Sequence, residues 1–511
     1  MARHTIEVMP AGEQIEAEDN SVLSDVLREH GIPLRLDCGG HGLCGKCLVW
    51  CNDGTRRSRQ LRACQLAVTG DLTVWLPTQT GNAPIFTELY EAPPETGARL
   101  GCAVDLGTTN VALEIYDLSS RRRIGSAQFE NPQRAIGDDV LSRIAAIGKN
   151  PQQLEPLAFC VREKIRAALD KLSAAGFSTG QVVRYTVAGN PAMQQIFLGI
   201  SPAPLGTAPF TLAFHSARET AIGELGLPGQ PDGMVTALPQ ISGFVGGDAV
   251  AGLDRLQKRS KTLPAVLVDL GTNAELALIT RDRTVTTSAA AGPAIEGATL
   301  QCGVSSRPGA ICHVTAGDGR LNLKTIGGGT PCGICGSGYI DLAAELLRAG
   351  IVGEDGAFVL DCRHPLAGQL RTDAEGNVEF LLTAALPQCP PVTLTQADIR
   401  KLQLAKAAIA AGIEILLEQC GYQPEDIQTW GLAGGIGEAV DIRNAMRVGL
   451  LPNVPPDRIV PLGNSSLAGA AALLKGETTI DDLNAIQSRA EPLNLAECAE
   501  FSETFIRKLQ F

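Results

Sequence analysis

Between positions 37 and 51 the chain reads DCGGHGLCGKCLVWC, and no other stretch narrows its options as sharply. Five residues separate Cys38 from Cys44, two separate Cys44 from Cys47, and Cys64 follows after sixteen more. Thiolates are the usual ligands of iron–sulfur clusters, and a close triplet with a distant fourth cysteine is a 2Fe–2S spacing. Gly39, Gly40, Gly42 and Gly45 let the backbone curl and turn its N–H groups toward the sulfurs, because glycine tolerates positive φ. Structural zinc also takes four cysteines, but mostly from two separated short pairs; only Cys44 and Cys47 form such a pair. Cys38, Cys44, Cys47 and Cys64 are therefore the candidate cluster ligands. Cys51 alternates with Val49 as a strand side chain and is left out of the set.

A chain of 511 residues has room for several domains. Its 56 glycines and rich aliphatic content suit α/β architecture with many strand-to-loop turns. A net charge of −12 argues against general nucleic-acid binding, which needs a basic surface. No run of about twenty apolar residues marks a membrane span, and the start MARHTIEVMP lacks the apolar core of a signal peptide. Fifteen cysteines without a secretion signal point to reduced thiols and ligands, hence to the cytoplasm.

Residues 1–80 read as one domain. Residues 4–9 and 13–18 alternate as a hairpin. Residues 21–30 read as a helix, with Asn20 or Ser21 as N-cap and Gly31 as its stop. The cysteine loop and strands at 47–51 and 71–76 complete a β-grasp ferredoxin. Arg56, Arg57, Arg59 and Arg62 lie before the fourth cysteine, either in a solvated loop or as a basic lip for an acidic redox partner. Residues 81–100 read as a linker.

The remainder carries one figure twice. CAVDLGTTNVALEIYDL begins at Cys102, and AVLVDLGTNAELALI begins at Ala265; their aspartates, Asp105 and Asp269, are 164 residues apart. Each is strand, glycine turn, strand, and such a turn can aim backbone N–H groups at a phosphate. A third piece is a strand at 429–433 that runs into Gly434-Gly435-Ile436-Gly437, followed by a helix at 441–449. Its glycines allow close approach of an adenosine. Asp138 and Asp139 open a helix, as N-cap or as catalytic or Mg²⁺-organising acids. Gly246, Gly247 and Asp248 precede another helix, as site or as scaffold. Glu275 and Glu296, near the second loop, could position water or serve only structure. Cys332 and Cys335 form a CxxC, read chiefly as a glycine loop at a helix start.

The three nucleotide elements resemble the actin-like ATPase superfamily. That resemblance assigns Gly107, Thr108 and Thr109 to phosphates from one lobe, and Gly271, Thr272 and Asn273 from the other. Gly434 and Gly435 would hold adenosine, and Asp105 and Asp269 would organise Mg²⁺ and water. Together with CGGHGLCGKC, RACQ, GDDVLSRI, ISGFVGGDAVAGL, AAAGPAIEGA, GICGSGYID, LAGGIG and GNSSLAGA, the chain resembles the ATP-dependent reductive activators of corrinoid proteins. The resemblance implies a β-grasp ferredoxin domain followed by a duplicated, ribonuclease H-like two-lobe ATPase. The lobes would span 101–260 and 261–480, with a packed tail at 481–511. It also implies a 2Fe–2S cluster, ATP and Mg²⁺, and an upstream electron donor. The protein would be a homodimer returning cob(II)alamin to cob(I)alamin in a corrinoid partner of a methyltransferase system. A plant-type cluster sits near about −400 mV, and each ~59 mV uphill costs tenfold in a one-electron equilibrium, so nucleotide would have to favour the transfer. The rival expectations are a small-molecule kinase and a nucleotide-dependent sensor, each with a redox domain.

Overall fold

The computed structural model describes residues 3–9, 13–32, 34, 47–52, 59–76, 86–88 and 97–511, apart from 138, 174–175, 261, 293, 298, 373–375 and 385–388. The expectations for Cys38, Cys44, Arg56, Arg57 and Asp138 lie outside these residues.

The N-terminal strands form a five-stranded sheet in the order Glu13–Glu18, Arg3–Met9, Leu72–Trp75, Leu48–Asn52, Arg59–Arg62. The first pair is the expected antiparallel hairpin, with Ile6 opposite Ile15. Arg3–Met9 then runs parallel to Leu72–Trp75. Ile6, Val8, Ile15 and Val74 point inward and meet Leu23, Val26 and Leu27 of the helix Leu23–Glu29. That helix starts later than expected. Its N-cap is Val22, because the Ser21 hydroxyl donates to the Glu18 carbonyl at 2.6 Å and completes the preceding turn. Gly31, at φ +71°, ends it. A second correction concerns the arginine-rich stretch. Arg59–Arg62 is a strand, paired antiparallel with Leu48–Asn52.

Two larger sheets follow. The first is ordered Arg218–Ala221, Met234–Ala237, Val182–Gly189, Leu100–Leu106, Asn110–Asp117, Arg123–Glu130, Phe86–Glu88. The second is ordered Ile459–Gly463, Thr429–Ala433, Ala265–Leu270, Ala274–Ile279, Thr284–Ala289, Ala490–Pro492. Five strands of each match in order and direction: three parallel neighbours, then two successive antiparallel pairings. This is the duplicated two-lobe fold expected from the repeated DLGT figure. Two edge strands come from outside the spans expected for the lobes, one of them from the tail expected to pack there. Phe86–Glu88, inside the stretch read as linker, pairs with Arg123–Glu130. Ala490–Pro492, from the tail, runs parallel to Thr284–Ala289.

Each lobe buries its own core, and a third cluster joins them, including Ala103, Ala188, Ala251, Leu267, Ala433 and Ala470. Its axis is two helices, Gly247–Arg259 after strand Met234–Ala237 of lobe one and Ser465–Lys475 after strand Ile459–Gly463 of lobe two. They touch through small residues. A Cβ on Gly469 would lie 2.5 Å from that of Ala251, so only glycine allows this approach. Gly412, in the long helix Gln396–Glu418, is a similar point against Leu276.

Candidate functional site

The cleft between the lobes gathers both DLGT turns. In lobe one, strand Leu100–Leu106 ends at Gly107, where a Cβ would meet the Asn110 carbonyl oxygen at 2.5 Å. The turn is braced from behind. Asn131 Nδ2 donates to the Gly107 carbonyl at 2.8 Å, and Asn190 Nδ2 to Thr108 Oγ1 at 3.0 Å. Arg143, fully buried, donates to the Thr108 carbonyl at 2.6 Å and to the Gly137 carbonyl at 2.9 Å. In lobe two the Gly271 amide donates to the Asn273 carbonyl at 3.2 Å, closing the matching turn. The turns meet: Thr109 Oγ1 and Thr272 Oγ1 are 2.9 Å apart.

Asp105 and Asp269 close the strands before these turns, and one helix start addresses both. Asn464 Nδ2 and Ser466 Oγ donate to Asp105 at 2.8 and 2.7 Å. Ser465 Oγ donates to Asp269 at 3.2 Å. The lobe-one helix supplies Asp248 instead. Burial, and then mutual repulsion among Asp105, Asp248 and Asp269, pushes Asp248 and Asp269 up to about 7. Asp105 is also raised by burial, against the hydrogen bonds from Ser466 and Asn464. Glu275, paired across the strand from Asp269, is raised well above the carboxylate range by burial and these same acids. An anionic cluster held this far from its ordinary ionisation is a place where a cation and phosphate-bound water gain most. Among the described residues no three Cys, His, Asp or Glu side chains converge tightly enough to hold a metal by themselves.

The third glycine element differs from its expected form. Gly434 and Gly435 do not form an open loop; they begin a short helix, Gly434–Ala439, directly after strand Thr429–Ala433. Gly434 sits at φ +85°, and a Cβ there would lie 2.5 Å from Asp269 Oδ1. The following helix is Ile442–Arg447, capped by Asp441. Asp139 occupies the N-cap of Val140–Lys149, accepting from the Ser142 amide at 2.7 Å. It is exposed and takes the capping alternative, outside the acid cluster. Asp248 and Glu275, left open by sequence, join that cluster. Asn464, Ser465 and Ser466 open the helix Ser465–Lys475, and their partners lie in distant strands.

In the N-terminal domain, register brings two thiols together. Leu48 pairs with Arg62, and the Ala63 amide donates to the Cys47 carbonyl at 2.9 Å. Cys47 and Cys64 are both buried, their sulfurs 3.2 Å apart. That is too long for a disulfide, about 2.05 Å, and it sets two of the four expected ligands side by side. Cys51 packs into the domain core, as its alternation indicated. In lobe two Cys335 is buried as the N-cap of helix Gly336–Arg348, in line with the glycine-loop reading of the CxxC.

Comparison with known proteins agrees with this division. Residues 6–69 match the 2Fe-2S iron-sulfur cluster binding domain, 100–258 the RACo middle region, and 264–511 the C-terminal domain of RACo, the ASKHA domain. The corrinoid activation enzyme RamQ of Eubacterium limosum is 29% identical over 98% of both chains. The [Co(II) methylated amine-specific corrinoid protein] reductase of Methanosarcina barkeri is 28% identical, over 53% of this chain and 51% of that protein. The solved structure of a reductive activator for corrinoid,iron-sulfur protein superposes with a TM-score of 0.75 at 27% identity, covering 99% of this chain and 98% of that one. With a 2Fe–2S domain, the RACo middle region and the RACo ASKHA domain in that order, the chain belongs to the RACo family.

Proposed function

We propose that this chain is an ATP-dependent reductive activator that returns cob(II)alamin to cob(I)alamin in a corrinoid protein. The observation carrying this is full-length likeness to a corrinoid activation enzyme, with a cysteine pair and two facing phosphate turns in one chain. Cys47 and Cys64, with Cys38 and Cys44, would hold the cluster. Bound there, a 2Fe–2S cluster supplies one-electron transfer. Gly107, Thr108 and Thr109 would meet the phosphates from one lobe, and Gly271, Thr272 and Asn273 from the other. Gly434 and Gly435 would lie under the adenosine. Mg²⁺ keeps several waters and leans on phosphate oxygens, so Asp105, Asp248 and Asp269 would act on it largely through water. Asp139 is needed only as a cap. Binding energy from ATP would favour the docked state from which an uphill electron transfer proceeds.

The reading extends to an upstream electron donor, a homodimer built on the ATPase part and a cytoplasmic setting. No helix among the described residues is long and apolar enough to cross a membrane. The test is anaerobic. Cob(I)alamin should appear in a corrinoid protein only with both reductant and ATP, and the corrinoid protein should stimulate ATP hydrolysis. Cys64→Ser should abolish visible absorbance and cobalt reduction while leaving nucleotide binding intact. Single-turnover reduction of equal rate and extent without ATP would refute the proposal; phosphate appearing on a metabolite would favour a kinase.

A further inference from the structure

One carboxylate joins the two phosphate turns. Glu296 Oε2 accepts from Thr109 Oγ1 of lobe one at 2.8 Å and from Thr272 Oγ1 of lobe two at 2.9 Å. Both threonines are buried, 5% and 8% exposed, so water has little access to these hydroxyls. The segment between strands Thr284–Ala289 and Ala310–Gly317, which carries Glu296, touches lobe one a second time. There Ser305 Oγ donates to Glu130 Oε1 at 3.4 Å, beside the Glu130–Arg134 ion pair at 3.2 Å. A single anionic oxygen shared by a hydroxyl from each turn is the contact a terminal phosphoryl oxygen would make in the same place.

We propose that Glu296 sets the cleft's preference for a nucleoside triphosphate: its carboxylate straps the turns together until a γ-phosphate takes both hydroxyls from it. This rests on the nucleotide reading above and names which phosphate the site senses. Two anions cannot share the same two donors, so the ligand must displace the carboxylate. A diphosphate that stops short of the paired hydroxyls leaves the strap closed. Glu296 thus weakens triphosphate binding, and in return ties the arrangement of both lobes to the γ-phosphate.

Calorimetry on the full, cluster-loaded chain with Mg²⁺ tests this, using a non-hydrolysable ATP analogue and ADP as probes. Glu296→Gln preserves shape and removes charge; Glu296→Ala removes the strap; circular dichroism and melting curves check that both are folded. Both hydroxyls are held by a charged group, so freeing them should raise analogue affinity about tenfold or more in both variants. ADP affinity should change by less than about threefold on the same scale. Amide exchange at residues 107–109 should quicken in the nucleotide-free Glu296→Ala chain, a change that a purely local packing role would not produce alongside tighter binding. Analogue affinity that stays level or falls, or an equal gain for ADP, overturns the strap alone. Wild-type protein that binds neither probe overturns the nucleotide site itself.

Discussion

The two lobes share a strand order but have divided the labour at their facing ends. Each sends a helix from its last strand of the shared five toward the cleft, and the second residue of each helix addresses the other lobe. In lobe two that residue is Ser466, whose hydroxyl satisfies Asp105. In lobe one it is Asp248, whose charge opposes Asp269. One crossing relieves an acid and the other loads it. The turns differ as well. Glu296 meets both from the front, but lobe one's is also fixed from behind by Arg143, Asn131 and Asn190. Duplication supplied a symmetric frame, and single side chains made one half rigid and the other responsive.

The largest expected effect separates the two aspartates. Asp269→Asn should lower ATP hydrolysis by about 10²–10⁴-fold, the range for loss of a positioned acid or base, and flatten the rise in rate near pH 7. Asp105→Asn should lower the rate comparably but keep that rise, since Asn464 and Ser466 already stabilise its charge. The same flattening in both would erase the distinction. Next comes Arg143→Ala, which strips the back of the first turn. Losing a buried, charged donor should cost about 2–3 kcal/mol in denaturant unfolding and raise KM for ATP more than it lowers kcat. Arg143→Lys should recover part of each. An unchanged KM would mean that the first turn needs no brace.

The smallest effect concerns Asp248. Its folded pKa of about 7 lies above the unfolded value, near 3.9. The folded state therefore binds the proton more tightly, and stability falls as pH rises from about 4 to about 7. Asp248→Asn should stabilise the nucleotide-free chain by on the order of 1 kcal/mol at pH 8 and by progressively less toward pH 4, allowing for solvent in the cleft. A melting temperature lowered at pH 8 would show that the Asp248 charge is compensated and the asymmetry absent.

Much of this was legible in sequence because its signals are local. The DLGT turns announce themselves by glycine chemistry and flanking alternation, and the hairpins follow. What escaped depends on distance or context. Arg59–Arg62 looked like a loop because arginine carries weak strand preference; pairing with Leu48–Asn52 overrides it. Gly434 and Gly435 looked like an open loop because glycine disfavours helix, yet strand, turn and helix here abut without a spacer. Ser466 meets Asp105 across 361 positions, and no periodicity reports such a contact. Asp139 carried two readings, and its capping bond to the Ser142 amide is a local geometry that spacing alone does not report.

The seam where Gly469 rides on Ala251 has a mechanical meaning. Glycine and alanine offer no long knobs that must be lifted out and re-seated when one rod rolls over another. Such a bearing turns with little friction, so it can set the path of motion without choosing the stopping point. The choice is left to the rim opposite, where a few oxygen atoms act as the catch.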